Sequence, residues 1–116
     1  MDTLPKYRRF LGKEVDVVVD RPIGSKHPKY GTTYESNYGY VLGTLAGDGM
    51  EIDAYILGID QPIETYRGLC IAVLRRKDDI EHKLVVANAP MTVSDIHAST
   101  NFIEQYFETE IEVLDA

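Results

Sequence analysis

Among 116 residues there is one cysteine, Cys70, so no disulfide forms within the chain. It sits in the apolar run LCIAVL, where a thiol behaves as a small buried hydrophobe rather than a nucleophile. No apolar stretch approaches the roughly 18 residues that cross a bilayer. The charged opening MDTLPKYRRF is not followed by the apolar core of a signal peptide. No membrane partner is therefore expected, and the expected location is the cytoplasm. Basic residues are scarce: 12 Lys and Arg stand against 19 Asp and Glu, a net charge of −7. That balance argues against nucleic acid, whose non-specific binding rests on neutralising phosphates with Lys and Arg. It leaves room for a phosphate ligand, because phosphate held through metal ions first needs carboxylates to hold the metals. Linkers, repeats and low-complexity tracts are also missing, and the length suits one domain, residues 1–116, around one core.

What the chain does have is strand signal. Glu14 to Asp20 is β-branched and partly alternating, and Tyr34 to Leu42 reads as extended with Gly39 between two tyrosines. Asp53 to Ile59 is a short apolar run broken by Asp60-Gln61-Pro62, and Gly68 to Leu74 and Lys83 to Ala87 are further candidates. From Ser94 to Phe107 the pattern changes: Ile96, Ile103, Tyr106 and Phe107 fall near helical spacing, with Ser94 as candidate N-cap and Asp95 in the first turn. Glu110 to Leu114 is a candidate final strand. Short strands at this spacing predict a mainly β (α+β) domain, a small barrel with one C-terminal helix packed on it.

Four clusters carry possible chemistry. Asp48, Glu51 and Asp53 crowd into six residues beside two glycines, and acids this dense repel unless a cation sits among them; a hard divalent metal prefers such oxygens. Asp78, Asp79 and Glu81 form a second acidic turn. Lys26, His27 and Lys29 share one loop, and Lys83 comes just after the second acidic turn. Tyr34, Asn37, Tyr38 and Tyr40 form an aromatic-polar group. Taken singly these are a solvated turn, a charged hairpin, surface ion pairs and half-buried sheet tyrosines. Together they are the inventory of metal-assisted phosphoryl hydrolysis: carboxylates for metals, lysines for phosphoryl oxygens, hydroxyls to complete the shell.

In this order the parts resemble the family I inorganic pyrophosphatases, from about Val15 to Val86 with a weaker echo in the helix. The carrying elements are NYGY, then GTLAGDG with the closing Ile52-Asp53 pair, upstream VVVDRPIGSKHPKYG, downstream KDDIEHKLVVA, and FIEQYF. The resemblance implies an OB-type five-stranded barrel, magnesium (or manganese) as cofactor, hydrolysis of pyrophosphate to two orthophosphates, and assembly as a homo-oligomer. It implies Asp48 and Asp53 as metal ligands of the first segment, Asp78 (or Asp79) and Glu81 as those of the second, and Asp20 as an outer acid. Lys29 and Lys83 would bind phosphate, and Tyr34, Tyr38 and Tyr106 would contribute hydroxyls. The sequence departs from the family at Met50, where the catalytic base is expected; Glu51 is the neighbouring carboxylate able to replace it. Gly31 replaces an acid, Phe107 replaces a basic residue, and the segment bearing a phosphate-binding arginine is missing, which leaves that role to Lys26 or Arg21. These departures keep two other readings open: a phosphohydrolase acting on another phosphoanhydride, and a catalytically impaired barrel that binds a phosphate ligand.

Overall fold

The computed structural model describes residues 3–44, 49–77, 79 and 81–114. The elements run α1 (Leu4–Arg8), β1 (Glu14–Arg21), β2 (Asn37–Val41), β3 (Asp53–Ile56), β4 (Thr65–Arg76), β5 (Lys83–Ala87), α2 (Val93–Glu104) and β6 (Thr109–Val113). The strands pair in the order β1-β2-β3-β5-β4, and β1 also pairs β4, which closes a five-stranded barrel; β6 adds to β4 outside the closure. The pairings are antiparallel except for β3 with β5. The expected five-stranded barrel with a C-terminal helix is present, joined by the sixth strand and by the five-residue α1. The latter is too short to show a helical period. None of these helices is long and apolar enough to cross a membrane.

Two apolar layers result from the period-2 alternation of the strands. Val15, Val17, Val41, Ala54, Ile56, Cys70, Val73, Leu84 and Val86 fill the barrel, closed at one end by Tyr7 of α1. Tyr55, Leu57, Ile71, Leu74, Val85 and Ala87 point the other way and pack under Ile96, Phe102 and Ile103 of α2. β5 faces both layers, so all five of its residues are buried, which is why KLVVA shows no alternation in sequence. The N-cap of α2 is Thr92 rather than Ser94: its hydroxyl accepts the Asp95 N–H at 3.1 Å. Cys70 is fully buried in the barrel wall, and burial pushes its thiol up to about 12.

Three local features aim side chains. First, Gly39 of β2 runs so close to β1 that a Cβ there would lie 1.8 Å from the Val18 carbonyl oxygen. Second, β1 carries a bulge at Asp20, with Val19 opposite Gly39 and Arg21 opposite Tyr38. Third, β4 carries one at Ile71, between Cys70↔Val86 and Ala72↔Val85. A bulge inserts an unpaired residue and reverses the facing of the residues beyond it. Asn37, fully buried, serves the fold: its Oδ1 accepts the Ile23 N–H at 3.1 Å and its Nδ2 donates to the Gln61 carbonyl at 2.8 Å, tying two loops to β2.

Candidate active site

A cleft of about 310 Å³ opens on the helix-facing side of the barrel. Its geometry is set by register. Ala54 of β3 lies beside Leu84 of β5, so the preceding residues, Asp53 and Lys83, are neighbours, and both share the facing of the outer layer. Lys83 Nζ donates to Asp53 Oδ2 at 2.8 Å, with the lysine buried and the aspartate a third exposed. On β2, Tyr38 lies opposite Tyr55 and Tyr40 opposite Asp53, which brings Tyr38 to the same wall. The bulge at the end of β1 lets Asp20 and Arg21, consecutive in sequence, both reach the cleft. Tyr34 and His27 come from the loop between β1 and β2, Arg76 from the end of β4, and Ile103 and Phe107 from α2 and its exit.

The electrostatics of the cleft reflect this crowding. Burial raises the Asp20 carboxyl; the Arg21 charge opposes this and the Asp53 charge adds to it. Burial, then the charge of Asp53, hold the Tyr38 hydroxyl well above its ordinary value, and burial raises Tyr34 likewise. Both phenols therefore stay protonated and act as donors. His27 Nδ1 accepts the backbone N–H groups of Lys29 at 3.1 Å and Tyr30 at 3.2 Å. That places its proton on Nε2. Burial and the charges of Arg21, Lys29 and Arg76 lower its pKa, keeping it neutral.

Of the residues singled out in the sequence, Asp20, Arg21, His27, Tyr34, Tyr38, Asp53, Lys83 and Phe107 line the cleft. Lys26 turns to Thr33 Oγ1 at 3.0 Å across a bridge that closes its loop. Lys29 Nζ lies 5.4 Å from the centre of the Tyr30 ring. Tyr106 stacks on Tyr30 at 4.2 Å and shares a hydrogen bond with Thr32. Glu51 is exposed ahead of β3, and Glu81 donates its N–H to Asp79 Oδ1 at 3.0 Å. Lys26, Lys29, Glu51, Asp79, Glu81 and Tyr106 are not among the residues lining the cleft. Asp48 and Asp78 lie outside the described residues. Arg76 was not singled out in the sequence. The signal for it was the Arg75-Arg76 pair ending an apolar strand, which does not say which arginine faces the site.

No cluster of three or more His, Cys, Asp or Glu side chains forms a ready metal site among the described residues. The donor set in the cleft nevertheless fits a magnesium-type ion, which is commonly held by one or two carboxylates with water and substrate phosphate completing the shell. Asp20 and Asp53, the two carboxylates lining the cleft, are such a pair.

Behind the cleft, Arg76 pairs with Glu104 at 2.7 Å, both buried. Burial would raise the Glu104 carboxyl, but the hydrogen bonds and charge of Arg76, with hydrogen bonds from Tyr55 and Thr109, hold it below the usual value. A carboxylate depressed in the folded state contributes stability above its unfolded pKa and loses it as pH falls through the folded one. The melting temperature is therefore expected to be flat near neutrality and to fall below about pH 4.5, the ordinary glutamate value. Glu104→Gln keeps an acceptor for Arg76 but leaves its buried charge uncompensated, so the whole curve is expected to drop and its acid limb to flatten; a limb unchanged in this variant would assign acid lability elsewhere.

No family model and no curated protein matches the chain in sequence. Solved structures do match. The inorganic pyrophosphatase of Ehrlichia chaffeensis superposes with a TM-score of 0.69 at 18% identity, covering 90% of this chain and 88% of that one. The Helicobacter pylori inorganic pyrophosphatase gives 0.63 at 18% over 86% and 82%, and that of Neisseria gonorrhoeae 0.63 at 23% over 82% and 74%. At these identities what is shared is the fold, a family I pyrophosphatase-like barrel.

Proposed function

We propose that this protein hydrolyses inorganic pyrophosphate to two orthophosphates with Mg²⁺, or Mn²⁺, as cofactor. The observation that carries the reading is the convergence of Asp20, Asp53, Lys83, Tyr34, Tyr38 and an arginine pair on one cleft of a pyrophosphatase-like barrel. Asp20 and Asp53 would hold the cation, with Asp48, Asp78 and Glu81 as further ligands from the two acidic turns. When bound, the ion neutralises phosphoryl oxygens and lowers the pKa of a water.

The chain's own groups do the rest. Lys83 spends one of its three N–H donors on Asp53. The other two are available to phosphoryl oxygens, where charge spreads in the transition state. Tyr34 and Tyr38 donate hydroxyls to the same oxygens. Lys29, Lys26 and Tyr106, on the loop and helix exit beside the cleft, contact substrate once it is bound. Glu51, two residues ahead of Asp53, replaces as base the acid that the family has at the position of Met50. The protein works in the cytoplasm as a homo-oligomer, a state read by analytical ultracentrifugation.

Orthophosphate release from pyrophosphate is measured with and without Mg²⁺, alongside nucleotides and polyphosphate. Release that needs the metal and is abolished in Asp53→Asn supports the reading. Release from a nucleotide alone replaces pyrophosphate with another phosphoanhydride, and no release above Asp53→Asn overturns hydrolysis. Glu51→Gln is expected to lower kcat by about 10²–10⁴-fold with little change in KM. An unchanged rate removes Glu51 from the role of base.

A further inference from the structure

The most deeply held cation lining the cleft, apart from Lys83, is one that the sequence resemblance does not provide. Arg76 is 7% exposed. Its Nε donates to Glu104 Oε1 at 3.2 Å and its Nη2 to Oε2 at 2.7 Å, while the guanidinium lies 3.7 Å from the centre of the Phe107 ring. Glu104 also accepts the Tyr55 hydroxyl at 2.7 Å and the Thr109 hydroxyl at 2.8 Å. The backbone N–H of Arg76 donates to Nδ1 of buried His82 at 3.1 Å, which fixes the strand end. The side chain is thus clamped on one edge, on one face and at its base.

The other edge is open. A guanidinium carries five N–H donors, and Glu104 engages only Nε and Nη2. Among the described residues no buried side-chain nitrogen or oxygen lacks a partner. Nη1 makes no hydrogen bond to a described residue and so keeps accessible surface, on a side chain that lines the cleft. The position is also telling. Phe107 stands where the resemblance expects a basic residue, and Arg76 stacks on that ring. The charge removed from the helix exit returns from the sheet.

We propose that Arg76 is an anion-binding arginine of the cleft, donating from Nη1 to a phosphoryl oxygen, with Glu104, Tyr55 and Phe107 as its positioning residues. Lys83 and Arg76 enter the cleft from adjacent strands on the same face, with Leu74 opposite Lys83 and Arg76 two residues on, so one anion can meet both; on the proposed function that anion is a diphosphate group. The assignment rests on reading the cleft as a phosphate site but does not need turnover.

The test is calorimetric titration with methylenediphosphonate, which is not hydrolysed, and with inorganic phosphate, both in Mg²⁺. Arg76→Met alone strands a buried carboxylate and is expected to unfold the chain. Arg76→Met/Glu104→Met replaces the whole pair, an exchange that is often neutral or stabilising. The double variant is expected to stay folded but to melt below the wild-type temperature, because the buried Tyr55 hydroxyl loses its acceptor, and to bind the diphosphonate about 10–100-fold more weakly, the range of one hydrogen bond to a charged group. A folded double variant with wild-type affinity overturns the proposal and leaves the pair purely structural. Wild-type protein that binds the diphosphonate yet releases no orthophosphate sinks the hydrolytic reading alone, and the affinity ratio still decides Arg76. Wild-type protein that binds neither probe overturns both.

Discussion

Gly39→Ala is expected to prevent the barrel from closing. The added Cβ would meet the Val18 carbonyl oxygen at 1.8 Å, its carbon at 2.7 Å and the Val19 Cα at 2.8 Å. All three are backbone atoms, so no rotamer change relieves the overlap, and β1 has to move off β2. That displacement breaks ladder pairs on both sides of Gly39, since Val18↔Tyr40 and Arg21↔Tyr38 flank it, and it opens the bulge that aims Asp20. Glycine inside a strand commonly marks such a close backbone approach. Single substitutions costing more than about 4 kcal/mol are exceptional, but this one has no cheaper route, and a domain of this size holds only about 5–15 kcal/mol in all. The measurement is urea unfolding monitored by circular dichroism, with Gly24→Ala as a control: a Cβ there meets nothing within 4 Å, so only the backbone strain of φ +94° is added. Gly39→Ala protein whose urea midpoint stays close to that of wild type would show the approach to be relaxed in solution.

Lys83→Met is expected to leave a folded protein that has lost at least about 10² in kcat, the usual consequence of deleting one donor aimed at developing negative charge. The contrast with Arg76 lies in the partner left behind. Asp53 is about a third exposed and keeps access to water, whereas Glu104 is almost sealed. Removal of Lys83 therefore costs chemistry more than stability. The methionine fills the space of the lysine stem, so β5 stays packed. Orthophosphate release under saturating Mg²⁺-pyrophosphate reads the loss. A kcat within a factor of two of wild type would remove Lys83 from the phosphoryl contacts and reduce the pair with Asp53 to an ordinary ion pair.

The strands were legible because β-branched runs and glycine breaks are local signals, and their number and spacing pointed to the barrel. Asp53 and Lys83 were legible as candidates, yet their 2.8 Å contact depends on a parallel pairing between segments thirty residues apart, which no local pattern states. The two bulges were illegible for a stronger reason. Read with strict alternation, Arg75 shares a face with Leu69 and Ile71, and Arg76 shares one with Cys70. The extra residue at Ile71 exchanges them, sending Arg76 to the cleft and Arg75 to Glu110 on β6. Likewise strict alternation would allow one of Asp20 and Arg21 into the site, and the bulge admits both. Lys26 and Lys29 were legible as candidate phosphate ligands because charge in a loop is visible; the contacts they make within the chain, with Thr33 and Tyr30, were not.

Cys70 gives the molecule a built-in clock. It is the chain's only thiol, lies fully inside the barrel wall, and is pushed up to about 12, so almost no thiolate is present at neutral pH in the folded state. A water-soluble disulfide reagent reacts only with exposed thiolate. Its colour change with the native protein therefore times the opening of the barrel itself, with no engineered probe. Ligand that fills the cleft and holds the strands together should slow that clock, which offers a measure of occupancy independent of any turnover.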